Sequence, residues 1–192
     1  MATGAGPADV RERLLAAAIE RVATTGLAGL RMEDVARGAG VGRATLYRHF
    51  PGGKDQLVDE AITWEVGRFF VALAEEVADA PDLRARLERG LVFAHRAMAG
   101  HAALARVLET DRAQFLPRLQ DTSALVVAVV RDYLAPAVAA ERLRPGIDVD
   151  EAAEYLARMV LSFLPSPGRW DLDDPADVAR LVDRQFLAGI LA

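Results

Sequence analysis

The sequence predicts an all-α fold, and three observations support this prediction. Alanine, leucine, valine and arginine are abundant while threonine, isoleucine and aromatic residues are sparse, a composition that favours helices over strands. Apolar residues recur at spacings of three and four along most of the chain, which is the period of an amphipathic helix. The 192 residues are 52% hydrophobic, enough to bury a substantial core. We therefore expect about nine helices.

Three short helices are predicted in the N-terminal part of the chain. The first spans residues 8–25 and ends at Gly26, a favourable C-terminal cap. The second spans residues 32–37, where acidic residues in the first turn favour the helix dipole. The third spans residues 43–50 and ends before the helix-breaking sequence Pro51-Gly52-Gly53.

Six further helices are predicted after this break. Asp148 and Glu151 have the spacing of a capping box at the start of one of them. Asp174 and Pro175 supply an N-cap and a first-turn proline for the last one. We expect these helices over residues 55–79, from Pro81 to Gly100, over 102–109, over 111–139, from Asp148 to the loop at Pro165, and from Asp174 onwards.

Charge is distributed unevenly, although the chain as a whole carries −5. Residues 1–53 carry +2 and the remaining residues carry −7. No acidic residue occurs between Arg37 and Lys54, a segment that includes Arg43 and Arg48. A short cationic patch on an otherwise acidic protein is suited to binding phosphate. We therefore predict a small N-terminal domain over residues 1–53, with residues 1–8 as a flexible tail, and a larger helical domain over residues 54–192.

The composition also argues against several classes of protein. There is no cysteine, so disulfides, thiolate metal ligands and cysteine nucleophiles are excluded. Residues 1–9 lack the features of a secretory signal, and the longest apolar run, residues 124–130, is too short to cross a membrane. His95 and His101 do not have the spacing of metal ligands on one helix face. We expect a cytoplasmic protein that needs no metal or cofactor and has no membrane partner.

Residues 36–50 have the spacing of a helix-turn-helix. Ala36 is small where two helices would touch, Gly40 would allow the tight turn, and Val41 and Leu46 would anchor the second helix. Burial of Leu46 and Phe50 would leave the polar side chains of the same helix on its other faces. These side chains, which we predict to face DNA, are Arg43, Thr45, Tyr47, Arg48 and His49.

This segment resembles the tetracycline-repressor-like (TetR/AcrR) family, whose motif is A-x-x-x-G-V-x-x-x-T-L-Y-x-x-F. The residues that match it are Ala36, Gly40, Val41, Thr45, Leu46, Tyr47 and Phe50. The similarity covers roughly residues 10–57, and the rest of the chain matches the family in length and helical layout. The resemblance implies a repressor dimer whose C-terminal domain responds to a ligand.

The resemblance also implies roles for individual side chains. Arg43, at the start of the recognition helix, would reach base edges in the major groove, where a guanidinium can pair with guanine. Lys54 would contact a phosphate with help from a helix dipole. Thr45, Tyr47 and His49 would contact the DNA backbone, and Arg48 could contact either the backbone or a base.

Three positions depart from the family pattern. Arg31-Met32 stands where a threonine or serine usually opens the second helix, and Arg31 would replace its phosphate-binding hydroxyl with a point charge. Gly42 replaces the common polar cap before the third helix. The link from Pro51 to Lys54 is one residue longer than the common form.

Two larger sets of residues are assigned to the C-terminal domain. The first could line a cavity for a small apolar effector or could simply fill the core, and it contains Trp64, Phe93, His95, Met98, His101, Arg112, Phe115, Tyr133 and Met159. The second could pair with a second copy in a four-helix bundle or could pack within the chain, and it contains Leu156, Val160, Phe163, Val178, Val182 and Phe186.

Together these patterns predict a ligand-responsive transcriptional regulator that is not an enzyme. We expect a repressor that binds a palindromic double-stranded operator as a homodimer and is released by a small apolar effector. One alternative is a helical protein that binds a small molecule and has no DNA target. Another is a small hydrolase, although Ser123, Ser162 and Ser166 lie in no nucleophile motif.

Overall fold

A computed structural model describes residues 7–192, except for the side chains of residues 7–9, 114 and 116–123. Within this range the chain forms nine α-helices and no strand, which confirms the predicted fold class. The predicted tail lies outside the described residues at positions 1–6, whereas Pro7 and Ala8 already belong to the first helix. The helices are α1 (Pro7–Thr25), α2 (Met32–Gly38), α3 (Arg43–His49), α4 (Gly53–Glu76), α5 (Leu83–Ala99), α6 (Ala102–Thr110), α7 (Arg112–Ala139), α8 (Val149–Phe163) and α9 (Pro175–Leu181).

Aspartate side chains begin several of these helices. Asp148 accepts hydrogen bonds from the backbone N–H groups of Asp150 at 2.9 Å and Glu151 at 3.1 Å, as its capping-box position predicts. Asp174 accepts from the Ala176 N–H, and α9 continues beyond Leu181 as a π-helical segment, Val182–Leu187. These caps satisfy N–H groups that have no partner inside a helix.

The chain divides into two compact units. One contains the chain up to Phe70 together with His101–Arg118, and the other contains Val71–Gly100 and Leu119–Ala192. In the first unit, α6 packs against α1, and the buried side chains of α1, α2, α3 and α4 form a core. The N-terminal helices therefore share their unit with α6 and with most of α4. The predicted domain over residues 1–53 remains a prediction.

The second unit has its own apolar core, which includes four residues that the sequence assigned to a dimer interface. Leu156, Val178, Val182 and Phe186 are each at most 1% exposed and belong to this core. Their side chains already pack within their own chain and offer no surface to a second copy, so packing within the chain is the correct interpretation for these four. Val160 and Phe163 are only partly buried against the same core.

Among the helices of the described residues, none is both long enough and apolar enough to cross a membrane.

Candidate nucleic-acid interface

The turn between α2 and α3 is built around Gly40. Its φ of +66° lies in the left-handed region, which glycine adopts without steric cost. The Gly40 N–H donates to the Arg37 carbonyl at 3.1 Å, and the Val41 N–H donates to the Ala36 carbonyl at 3.0 Å. This pair of bonds is a Schellman motif, which ends one helix and redirects the chain towards the next.

Two buried side chains anchor α3 from one side. Leu46 and Phe50 are fully buried, as the sequence predicted. On α2, Val35 and Ala36 are also buried, and α2 and α3 pack against each other. Apolar contacts therefore fix the orientation of α3. The polar side chains on its other face are not needed for this packing.

The opposite face of α3 is exposed and basic. Arg43, Tyr47 and Arg48 are exposed, whereas Thr45 and His49 are half-buried. The Arg43 Nη1 lies 3.3 Å from Glu33 Oε1, and its guanidinium lies 5.4 Å from the centre of the Tyr47 ring. The structure thus places all five predicted residues on one short helix, with Arg43 lying along its surface.

The remaining two predicted DNA contacts lie at helix starts. Arg31 is exposed at the N-cap of α2 and forms no side-chain capping bond within the described residues. Lys54 is the second residue of α4, and its Nζ lies 3.5 Å from the Ala28 carbonyl oxygen. Gly53, where α4 begins, has a φ of +70°, so the predicted break before α4 depends on a left-handed glycine.

Arg11 was not singled out in the sequence, yet it connects several parts of the first unit. Its guanidinium lies 4.9 Å from the centre of the Phe50 ring and donates to the His49 carbonyl at 3.3 Å. It also forms an ion pair with Glu60 on α4. These partners are 38 to 49 residues away in sequence, so no local pattern could have identified the contact.

Asp111 was also missed, and its carboxylate is buried in the first unit. Its Oδ2 accepts from the Leu27 N–H at 2.9 Å, and its Oδ1 accepts from the Ala28 N–H at 3.2 Å. The Thr110 hydroxyl donates to Oδ2 at 2.6 Å. The Thr110 hydrogen bond, with the two backbone bonds and the positive charge of Lys54, lowers the pKa of Asp111 despite the opposing effect of burial.

The predicted effector-binding residues are divided between the two units. Trp64, His101, Arg112 and Phe115 belong to the first unit, and Phe93, His95, Met98, Tyr133 and Met159 belong to the second. Several of them have polar or charged neighbours. The His101 Nε2 lies 3.2 Å from Glu65, the His95 Nε2 lies 3.6 Å from Asp173, and the Tyr133 hydroxyl lies 3.4 Å from Arg86.

A cleft of about 400 Å³ lies elsewhere in the second unit. It is lined by Arg131, Asp132, Asp150, Glu151 and Glu154. Its lining contains none of the predicted effector-binding residues and is charged, which does not suit an apolar ligand. A search of the described residues finds no group of histidine and acidic side chains that could hold a metal ion.

Known proteins are similar to the N-terminal part of this chain and, at lower identity, to most of its length. Residues 14–61 match the family model of bacterial regulatory proteins of the tetR family. An uncharacterized HTH-type transcriptional regulator of Mycobacterium tuberculosis is 27% identical over 89% of this chain and 82% of its own. The HTH-type transcriptional repressor KstR2 of Mycolicibacterium smegmatis is 27% identical over 98% of this chain and 92% of its own.

Solved structures share the fold of this chain. A TetR-family transcriptional regulator from Rhodococcus sp. has a TM-score of 0.66 and 24% identity, covering 93% of this chain and 99% of that one. Its fold matches the all-helical arrangement described above. With the helix-turn-helix geometry, the match at residues 14–61 identifies this part of the chain as a helix-turn-helix of the tetR family of bacterial regulatory proteins.

Proposed function

We propose that this protein is a repressor that binds a palindromic operator as a homodimer and releases it when a small effector binds. The exposed basic face of α3, fixed from behind by buried Leu46 and Phe50, is the observation that carries the proposal. A short helix that is held in place by its buried face and is positively charged on its exposed face fits the major groove of DNA. Such a protein acts on DNA in the cytoplasm and catalyses no reaction.

Arg43 is our candidate for direct base recognition. It begins α3, and its side chain is 68% exposed. Its neighbours Glu33 and Tyr47 are also exposed, so the guanidinium can leave them at small cost. In the major groove it could instead form two hydrogen bonds to a guanine, a geometry that lysine cannot reproduce.

The other cationic and polar side chains would bind the DNA backbone. We assign phosphate contacts to Arg31 and Lys54, which lie at the starts of α2 and α4. Thr45, Tyr47 and His49 would contact sugar or phosphate from α3, and Arg48 could contact either phosphate or base. These contacts would set the position of α3, whereas Arg43 would read the sequence.

Dimerisation follows from the limited reach of one recognition helix. A helix as short as α3 contacts few base pairs, and a two-fold dimer on a palindrome doubles the number read. Within the predicted interface, Val160 and Phe163 on α8 keep partly exposed apolar surface. We propose that this part of α8 contributes to the interface between the two copies.

An effector can release the operator only if it binds the DNA-free conformation more tightly than the DNA-bound one. We propose that residues 54–192 supply this binding site and that residues 1–53 supply the DNA contacts. The predicted site residues are largely apolar with a few polar side chains, which suits a small, mainly apolar molecule. Within the second unit, the polar anchors that we favour are His95 and Tyr133.

An operator-binding experiment tests the proposal. We expect the purified protein to bind the DNA upstream of its own gene, with an affinity that falls steeply as salt is raised. Arg43→Ala should lose roughly 1–3 kcal/mol of discrimination between the operator and a scrambled sequence. Fluorescence anisotropy across a salt series measures both quantities.

Arg37→Ala is the matched control for Arg43→Ala. Arg37 is equally exposed but lies on α2, where it pairs with Asp34 at 3.0 Å. We expect this variant to keep the sequence preference of the wild type and to lose at most some salt-dependent affinity. If both variants discriminate as well as the wild type does, Arg43 does not read bases. If the wild type binds no DNA at low salt, the proposed function is wrong.

A further inference from the structure

The loop between α1 and α2 is held by a residue from far along the chain. Asp111 lies between the end of α6 and the start of α7, outside the residues that match the family model. Its carboxylate accepts both consecutive loop N–H groups, those of Leu27 and Ala28, and is only 8% exposed. Hydrogen bonds to a carboxylate are stronger than those between neutral groups. This contact is therefore a substantial restraint on the loop.

The approach of Asp111 to the loop is close enough to demand glycine at position 26. Gly26 has a φ of +70°, and a Cβ atom added there would lie 2.5 Å from Asp111 Oδ2 and 2.7 Å from Thr110 Oγ1. A side chain at position 26 would therefore be strained by the backbone conformation and would force the Asp111 and Thr110 side chains to move. The glycine that ends α1 thus also makes room for the carboxylate.

The loop leads directly into α2, which begins at Met32. The N-cap residue Arg31 forms no side-chain cap in the described structure, so no N-cap side chain fixes the start of α2. Leu27 and Leu30 bury their side chains, and the Ala28 carbonyl lies 3.5 Å from the Lys54 Nζ. The Ala28 N–H therefore donates to Asp111, and the Ala28 C=O lies near Lys54, a predicted phosphate-binding residue.

We propose that Asp111 is a positioning residue for operator binding, which fixes the start of α2 and with it the helix-turn-helix by capping the Leu27 and Ala28 amides. This inference rests on the proposed operator-binding function. Without the contact the loop samples more conformations, and DNA binding must then order it at the expense of affinity. Because α7 begins at the next residue, Arg112, a shift of the α6–α7 junction would break the contact and weaken operator binding.

Operator affinity of the full-length protein tests the inference with Asp111→Ala and Asp111→Asn. We expect Asp111→Ala to weaken operator binding roughly tenfold at a temperature where it is fully folded, because two charge-assisted hydrogen bonds are lost. Asp111→Asn keeps one acceptor and should recover part of the affinity. Thr110→Val, which removes only the hydroxyl that orients the carboxylate, is the alternative variant should Asp111→Ala fail to fold.

Asp148→Ala is the matched control, because Asp148 also accepts from two backbone N–H groups but caps α8 in the other unit. It should lower the melting temperature and leave operator affinity unchanged. Hydrogen exchange of the Leu27 and Ala28 amides should accelerate only in the Asp111 and Thr110 variants. The inference is overturned if the folded Asp111 variants bind the operator like the wild type. Absence of DNA binding by the wild type itself would instead overturn the proposed function together with the inference.

Discussion

Single side chains show which contacts the proposed DNA-binding residues make within the protein. Arg43 rests between Glu33 and Tyr47, and Lys54 rests against the Ala28 carbonyl. An exposed ion pair such as Arg43–Glu33 contributes about 0–1 kcal/mol. Phosphates can therefore displace these partners, and the resting contacts keep the cations near the surface that would meet DNA.

The pH dependence of stability should reveal the charge of Asp111. Its pKa in the folded protein lies below the ordinary value of 3.8, with the Thr110 hydrogen bond as the largest cause. The carboxylate therefore stabilises the fold fully above its unfolded pKa, and this contribution is lost as the pH falls through the lower folded pKa. We expect Asp111→Asn to be less stable than the wild type at pH 7 and the difference to shrink towards pH 3.

Urea unfolding of both proteins across this pH range measures the difference. Asp148→Asn serves as the control, because asparagine caps a helix about as well as aspartate and no loop outside α8 depends on it. A gap between wild type and Asp111→Asn that stays constant down to pH 3 would contradict the assignment of a stabilising charge to Asp111.

At the scale of helices, the caps show which helix starts and ends are specified by the local sequence and which are not. Asp148 and Asp174 begin α8 and α9 as their motifs predict, and Gly40 ends α2 in the expected left-handed conformation. Their partners lie within a few residues, so the pattern is visible in the sequence. The start of α2 has no such side-chain cap, and the loop before it is bonded by the distant Asp111.

Arg31→Thr should therefore have opposite effects on stability and on DNA binding. Threonine at the N-cap of α2 can accept a backbone N–H, and we expect a gain of about 0.5–1 kcal/mol in the free energy of unfolding. Loss of the arginine removes one proposed phosphate contact, which should reduce the salt dependence of operator binding by about one charge. Urea unfolding and a salt series measure the two effects.

Arg142→Thr makes the same change of charge at an exposed position in the other unit. It should alter neither the stability of the helix-turn-helix nor the salt dependence of operator binding. A salt dependence in Arg31→Thr that equals the wild-type value would remove Arg31 from the proposed DNA contacts.

At the scale of the whole molecule, the burial of apolar side chains within the chain determines which helix faces remain available to contact a second copy. Leu156, Val178, Val182 and Phe186 fill the core of their own unit. Val160 and Phe163 retain accessible surface, and the rings of Phe163 and Phe186 lie 5.6 Å apart. The proposed interface is therefore narrower than the sequence suggested, and it lies on the outer side of α8.

Val160→Glu should weaken this dimer. Burying an unpaired carboxylate in an apolar interface is strongly unfavourable, so we expect a shift towards monomer and a parallel loss of affinity for the palindromic operator. Light scattering coupled to size-exclusion chromatography measures the shift. Ser162→Glu adds the same charge at an exposed position on the same helix and should leave the dimer intact. Equal behaviour of the two variants would place the interface elsewhere.

The sequence by itself determined the helical fold, most helix boundaries, and the α2–turn–α3 unit with its basic face. These features depend on periodic apolar residues and on caps whose partners are near in the chain. Only the tertiary structure revealed the contacts of Arg11 and Asp111 and the burial of part of the predicted interface. Their partners lie up to 84 residues away, and whether an apolar stripe packs inward or outward depends on what the rest of the chain already covers.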